Sequence, residues 1–171
     1  SVRSAIGPGT NNYTVSQINR YVTAVANRGT VYSLSIIDKT TDSNGKLIKD
    51  YTPEVVNQMD EISSSTWDLV HNGMESMVKS SSTFAGMDIY MGGKTGTAQY
   101  SKIHADNVLF VGYAPEDSPE ISIAVRIANG YASTYAAEIG IDITKVYFNP
   151  ESADELLQGY ASSLGTVEAG D

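Results

Sequence analysis

The sequence predicts an α+β domain, an antiparallel β-sheet with helices packed against it. Three observations carry this expectation. Two segments in the first half repeat apolar residues at helical spacing behind capping residues. Three strand-like runs then follow one another through links too short for a crossover, which favours antiparallel neighbours. A further helix-period segment closes the folded part.

The first helix is written in "YTVSQINRYVTAVANRG". Thr14 and Gln17 make a capping box, Val15, Ile18, Val22 and Val25 recur at spacings of three and four, and Gly29 supplies the stop. The next stretch, "TVYSLSIIDKT", is rich in β-branched and aromatic residues. With "DSNGK" as an Asn-Gly turn into "LIKDY", it reads as a β-hairpin. The loop has a passing likeness to a calcium loop, but Thr40 and Tyr51 stand where the anchoring carboxylates belong.

A second helix is expected from about Thr66 to Lys79. Trp67, Val70, Met74 and Met77 share a face, and Ser65 with Asp68 forms an acidic capping box. A serine-rich loop, "SSSTFAGM", leads to the first strand, "IYMGGKTGTAQY". "NVLFVGYAP" is the second. The third, "EISIAVRIAN", puts Ile121, Ile123, Val125 and Ile127 on one face and Ser122, Ala124, Arg126 and Ala128 on the other. This reads as a half-buried strand with helices on one side. The last helix spans roughly 134–148, with Ala136, Ile139, Ile143, Val146 and Tyr147 as its apolar stripe. After Pro150 the chain turns acidic and Gly/Ser-containing. Residues 1–149 are read as the folded part and 150–171 as a loose tail, with at most a helical turn around Leu156.

Bulk properties narrow the function. The 171 residues suit one domain on the prior of roughly 100–200 per domain, and 41% apolar with 18% charged content suits a packed core. A net charge of −9 with no basic run argues against nucleic-acid binding and against adhesion to an anionic membrane surface. Without cysteine there are no disulfides, thiolate nucleophiles or cysteine zinc sites. His71 and His104 lack ligand-spaced company, so neither a metal nor a cofactor is expected, and both read as packing or exposed residues. Glu116, Asp117 and Glu120 read as a solvated turn. No apolar run approaches the roughly 20 residues of a membrane span, and "SVRSAIGPGTNN" has no signal-peptide pattern. Any anchor is expected outside this sequence.

The chemistry is concentrated in "MGGKTGTAQ", residues 91–99. A phosphate-binding loop needs a glycine at position 88, where Asp88 stands, and its lysine must open a helix. Here Gly96 follows at once and strand-forming residues lie on both sides. The alternative is a strand bordering an acyl-transfer site. On an extended strand Lys94 and Gly96 point one way, Thr95 and Thr97 the other. The Lys94 ammonium and the threonine hydroxyls suit a substrate carboxylate, Gly96 leaves the approach clear, and a backbone N–H near Thr97 suits a developing oxyanion. Placing both hydroxyls and the ammonium on one side demands a local twist or bulge. Gln99 is read as tying down backbone, and Tyr100, beside the cleft, as packing more than substrate contact.

"GGKTGTAQ" resembles the third signature motif of the penicillin-binding proteins, the serine D,D-transpeptidases related to serine β-lactamases. "AIGPG" followed by "TVSQINRYVTAVANRGTVY", then "FVGYAPEDSPEISIAVRIANG" and "AAEIGIDITKVYF", resemble further segments of that family in the same order, from about Ala5 to Phe148. Pro8 replaces a usual glutamine, and Val108-Leu109 a usual small-plus-aromatic pair.

The resemblance implies the C-terminal half of a transpeptidase domain. Lys94 and Thr97 would be catalytic, and Lys94, Thr95, Gly96 and Thr97 would bind substrate. The partners implied are D-Ala-D-Ala stem peptides of peptidoglycan, β-lactams and the N-terminal half of the same domain. The place implied is the outer face of a bacterial membrane. The family's nucleophile belongs to an S-x-x-K motif far upstream, followed by S-x-N, and no S-x-N precedes Lys94 here. "SMVK", Ser76 to Lys79, has the S-x-x-K form but falls late and at a helix C-terminus, where the dipole disfavours an activated serine. This chain alone is therefore expected to be inactive. A β-lactam-sensing receptor of the same fold is the alternative, and a nucleotide-binding protein the alternative from another class.

Overall fold

The computed structural model describes residues 13–98 and 103–157. Gln99, Tyr100, the "AIGPG" segment and residues 158–171 lie outside them. The fold is a mixed α+β arrangement built around one three-stranded antiparallel sheet, with two small two-stranded ribbons beside it.

Helix α1 (Val15–Ala26) starts as its capping box requires. Thr14 Oγ1 accepts from the Gln17 N–H at 3.2 Å, and Gln17 Oε1 accepts from the Thr14 N–H at 2.9 Å. At the other end the Gly29 N–H donates to Ala24 O at 2.7 Å and the Arg28 N–H to Val25 O at 3.1 Å, a Schellman pattern. The left-handed residue closing it is Arg28, at φ 63°. The closing residue thus stands one position before the predicted glycine, which itself takes φ 116°.

The run predicted as one strand over 30–40 splits in two. β1 (Thr30–Tyr32) pairs antiparallel with β4 (Val55–Gln58), which the sequence reading had not anticipated. β2 (Lys39–Thr41) pairs with β3 (Leu47–Asp50) as the expected hairpin. The break comes from Ser35, whose hydroxyl accepts from the Ile37 N–H and donates to Ile37 O, turning the backbone on itself. At the hairpin tip Asp42 Oδ1 accepts from the N–H groups of Asn44 and Lys46, and Gly45 takes φ 81°. That carboxylate serves the turn.

Helix α2 (Ser64–Ser80) is capped by Ser63, whose hydroxyl accepts from the Thr66 N–H at 3.2 Å. The expected Ser65–Asp68 box does not form, because the helix begins at Ser64 and leaves Ser65 inside it; Asp68 pairs with Arg28 at 2.7 Å. Its buried face runs through Trp67, His71 and Val78, and Val70 is exposed. Of the two readings open for His71, packing or exposure, the structure takes packing. Here its ring nitrogen meets a backbone carbonyl, so burial leaves no unpaired group.

Strands β5 (Gly92–Ala98), β6 (Asn107–Ala114) and β7 (Ile121–Ile127) form the sheet in that order. Val108, Phe110 and Ile123 on one face join Met91, Val78, Phe84 and the last long helix in the core. The other face of β7 is covered too: Ser122 Oγ lies 2.6 Å from Thr23 Oγ1 of α1. The strand expected to be helix-covered on one side is covered on both.

Helix α3 (Ser133–Phe148) buries Ala136, Ala137, Gly140, Ile141 and Thr144. Ile139, Ile143 and Tyr147 of the predicted stripe are exposed. Small residues win the inner face because the helix lies too close to the sheet for larger ones; a β-carbon at Gly140 would sit 2.4 Å from Phe110 Cδ1. A turn at Pro150–Ser152 and the short helix α4 (Ala153–Leu157) follow.

Candidate active site

Lys94 lies in the middle of β5, an edge strand among the described residues. Its neighbours alternate as extended backbone must. Lys94 stands opposite Val111 and Gly96 opposite Leu109 on the α1 side of the sheet. Thr95 stands opposite Phe110 and Thr97 opposite Val108 on the α3 side. The pairing steps one for one from Gly92↔Tyr113 to Ala98↔Asn107, so the expected bulge is not present. An edge strand offers another way to meet the same demand. A ligand lying in the sheet plane along an unpaired edge reaches side chains of both faces.

Lys94 and Thr97 are exposed, and Thr95 and Gly96 are half-buried. Lys94 Nζ donates to Thr95 O at 2.7 Å. Backbone groups alternate in direction along a strand, so those of Thr95 and Thr97 point the same way. The lysine sits mid-strand, with no helix N-terminus to present to an anion, and this removes the nucleotide-binding reading.

The three glycines of "MGGKTG" differ in kind. A β-carbon at Gly92 would lie 2.5 Å from Tyr113 Cζ, and one at Gly93 would lie 2.7 Å from Phe110 Cε2. Both positions are closed by aromatic rings, one on each side of the sheet. At Gly96 the nearest atom would be Leu109 Cβ at 3.8 Å, an ordinary contact. The fold requires the first two glycines and makes no demand for the third.

A polar cluster at the Gly92 end of the strand went unread in the sequence. His71 Nε2 lies 2.7 Å from Val25 O, and its ring centroid is 5.1 Å from that of Tyr113. Lys79 pairs with Glu75 at 3.4 Å and with Glu116 at 3.1 Å. Those hydrogen bonds, Glu116's first, hold the Lys79 ammonium above its ordinary value. Glu116 is therefore an ion-pair partner with one oxygen buried, where the sequence reading had a solvated turn residue. Tyr113 is fully buried and its hydroxyl has no partner among the described residues. Burial, then the Glu75 and Glu116 carboxylates, push its pKa up to about 12. The spacing of His71, Glu75 and Lys79 at i, i+4 and i+8 was the available signal. Ser76 is exposed near the end of α2, and the Lys79 ammonium is held by carboxylates. His104 is exposed.

Among the described residues no three His, Asp or Glu side chains gather as a metal site, and no helix is long and apolar enough to cross a membrane.

Residues 1–145 match the penicillin binding protein transpeptidase domain family. Penicillin-binding protein 2A of Bacillus subtilis is 31% identical over 166 residues, covering 84% of this chain and 23% of that protein. Penicillin-binding protein 2B of Streptococcus pneumoniae is 30% identical over 149 residues, covering 75% of this chain and 22% of the protein. Its solved structure superposes with a TM-score of 0.70 at 28% identity, over 81% of this chain and 25% of that one. Penicillin-binding protein A of Mycobacterium tuberculosis, solved as an imipenem acyl-enzyme complex, gives a TM-score of 0.76. At 18% identity, over 85% of this chain and 33% of that one, it shows the fold alone. The chain spans less than a quarter of the curated relatives it matches.

Proposed function

The chain belongs to the penicillin-binding protein transpeptidase domain family and covers part of that domain, and from this premise we propose that its β5 strand forms one wall of an acyl-transfer cleft. In the complete protein a serine from polypeptide not included here attacks a D-alanyl-D-alanine peptide. An amine of a second strand resolves the acyl-enzyme into a peptidoglycan cross-link, and β-lactams enter as mimics of the first substrate. Lys94, Thr95 and Thr97 hold the substrate carboxylate, Lys94 assists proton transfer, and the Thr97 N–H is one donor to the oxyanion. Residues 1–149 are the C-terminal part of the domain and 150–171 an acidic tail, working outside a bacterial membrane on an anchor elsewhere in the protein.

The observation that carries the reading is Gly96. A glycine inside a strand costs roughly 0.5–1 kcal/mol against alanine, and nothing in the packing of the described residues asks for it. It lies beside an exposed lysine on a strand that has no pairing strand on its outer side among the described residues, where a ligand's close approach accounts for the missing side chain. The remainder of the domain is the partner that suits the other uncovered surfaces. Among the described residues the outer edge of β7 is unpaired, and Tyr135, Ile139, Ile143 and Tyr147 form an exposed stripe on α3.

The test is labelling with a fluorescent penicillin. The full-length protein carrying this chain is expected to give a stable covalent band, lost in Lys94→Ala, and residues 1–171 alone no band. A label on Ser76, or saturable binding of ATP with magnesium, would overturn the reading.

A further inference from the structure

We infer that His71 is a positioning residue for the Lys94 strand, acting through Tyr113 and Gly92; this rests on the acyl-transfer reading of β5. Among the described residues β5 has a pairing strand on one side only, and helix α2 packs against it as well. At the start of β5 two aromatic rings add to this hold. Tyr113 closes on Gly92 from the α1 side and Phe110 on Gly93 from the α3 side, with 2.5 Å and 2.7 Å left for any β-carbon. The backbone just before Lys94 is gripped between them.

Each ring has its own backing. Phe110 rests on Gly140 of α3 and on Phe84, whose ring centroid is 5.6 Å away. Tyr113 is backed by His71, at 5.1 Å and a 40° tilt. His71 cannot slide, because its Nε2–H donates to Val25 O, in the last turn of α1. That bond assigns the proton to Nε2 whichever way the other ring nitrogen is occupied. The contacts therefore run from the C-terminal turn of α1 through His71 and Tyr113 to Gly92, and Lys94 follows two residues on, on the same side of the sheet. The Tyr113 hydroxyl adds no anchorage from the described residues, among which it has no hydrogen-bond partner. Removing the imidazole frees the ring to tilt, and with it the strand carrying the ammonium. A misplacement near 1 Å in such a site costs on the order of a hundredfold in rate.

The test uses the full-length protein with a fluorescent penicillin. In that reaction the serine oxygen bonds to the lactam carbonyl carbon, the lactam C–N bond breaks and the hydroxyl proton passes to the nitrogen. His71→Ala, His71→Gln and Ile127→Ala are compared, the last removing partly buried methyls from β7, on the far side of the sheet from β5. His71→Ala is expected to slow the acylation step about tenfold or more with little change in initial binding. His71→Gln, which keeps an N–H donor near Val25 O, recovers most of that loss. Ile127→Ala lowers the melting temperature without slowing acylation. Amide hydrogen exchange in the peptide covering residues 92–98 gives a readout independent of activity, expected to rise in His71→Ala and not in Ile127→Ala. Wild-type acylation rates in His71→Ala, or equal losses in His71→Ala and Ile127→Ala, would overturn the inference. If His71→Ala does not fold, His71→Asn, too short to span from Val25 O to the Tyr113 ring, takes its place: slower acylation with raised exchange over residues 92–98 supports the inference, and wild-type values of both refute it. Absence of any labelling in wild type would refute the cleft itself, with the exchange comparison still deciding His71.

Discussion

Gly140 of α3 and Phe110 of β6 pack so closely that a β-carbon on the glycine would lie 2.4 Å from the phenyl Cδ1. In an exposed helix, replacing glycine by alanine stabilises by up to about 1 kcal/mol. Here the sign reverses. Gly140→Ala must push the helix off the sheet or tilt Phe110, and is expected to destabilise the full-length protein by about 1–3 kcal/mol in urea unfolding.

Gly96→Ala is expected to separate folding from binding. The added methyl meets only Leu109 Cβ at 3.8 Å, so the melting temperature should stay within about 2 °C of wild type. Labelling by penicillin should fall at least about tenfold, since the methyl enters the ligand's path. Gly93→Ala should do the reverse in order of severity, lowering stability first, because Phe110 Cε2 already occupies the space.

Alkaline pH should reveal Tyr113. Its folded pKa is raised from 10.0 to about 12, so above pH 10 the unfolded chain loses the phenolic proton first. Stability contributed by the neutral phenol is intact below pH 10 and is lost as pH climbs toward 12, by roughly 2 kcal/mol in all. The raised Lys79 pKa acts in the same direction, with its contribution present below 10.5 and lost above it. Tyr113→Phe should flatten this decline in unfolding curves taken between pH 9 and 11. At neutral pH it should be neutral or stabilising by about 1 kcal/mol, because the deleted hydroxyl is buried without a partner among the described residues.

Arg28→Gly tests which of two roles dominates at the end of α1. The arginine holds φ 63°, a conformation costing a non-glycine residue roughly 1 kcal/mol. Its ion pair with Asp68 is about half exposed on both sides, 48% and 56%, and such pairs contribute under about 1 kcal/mol. The substitution should leave the melting temperature equal or slightly higher. Arg28→Ala, which loses the pair and keeps the strain, should lower it.

Much of this fold was legible where local chemistry and tertiary packing agree. Thr14 and Gln17 announce a capping box and make one, and the three long strands follow their alternation. The misreadings have a common cause. Helix faces were assigned from hydrophobicity, so Ile139, Ile143 and Val70 were placed inside and His71 was left between packing and solvent. The sheet selects for fit, taking Ala137, Gly140 and a hydrogen-bonded His71 in their place. The Ser35 turn and the β1–β4 pairing depend on a side chain bonding its own backbone and on a partner more than twenty residues away, and neither leaves a periodic trace. At the site the alternation of Lys94, Thr95, Gly96 and Thr97 was readable, whereas the different reasons for Gly92, Gly93 and Gly96 emerge only once the neighbouring rings are in place.

The unbroken pairing of β5 with β6 means that this stretch tolerates substitution far better than a change in length. One extra residue between Gly93 and Lys94 would turn the ammonium toward Phe110 and bring Thr95 to the opposite face. Two would restore sidedness but carry the whole motif about 7 Å along the sheet. Among frameshift-free insertions and deletions recovered from a random library, those falling between Gly92 and Ala98 should be the rarest survivors.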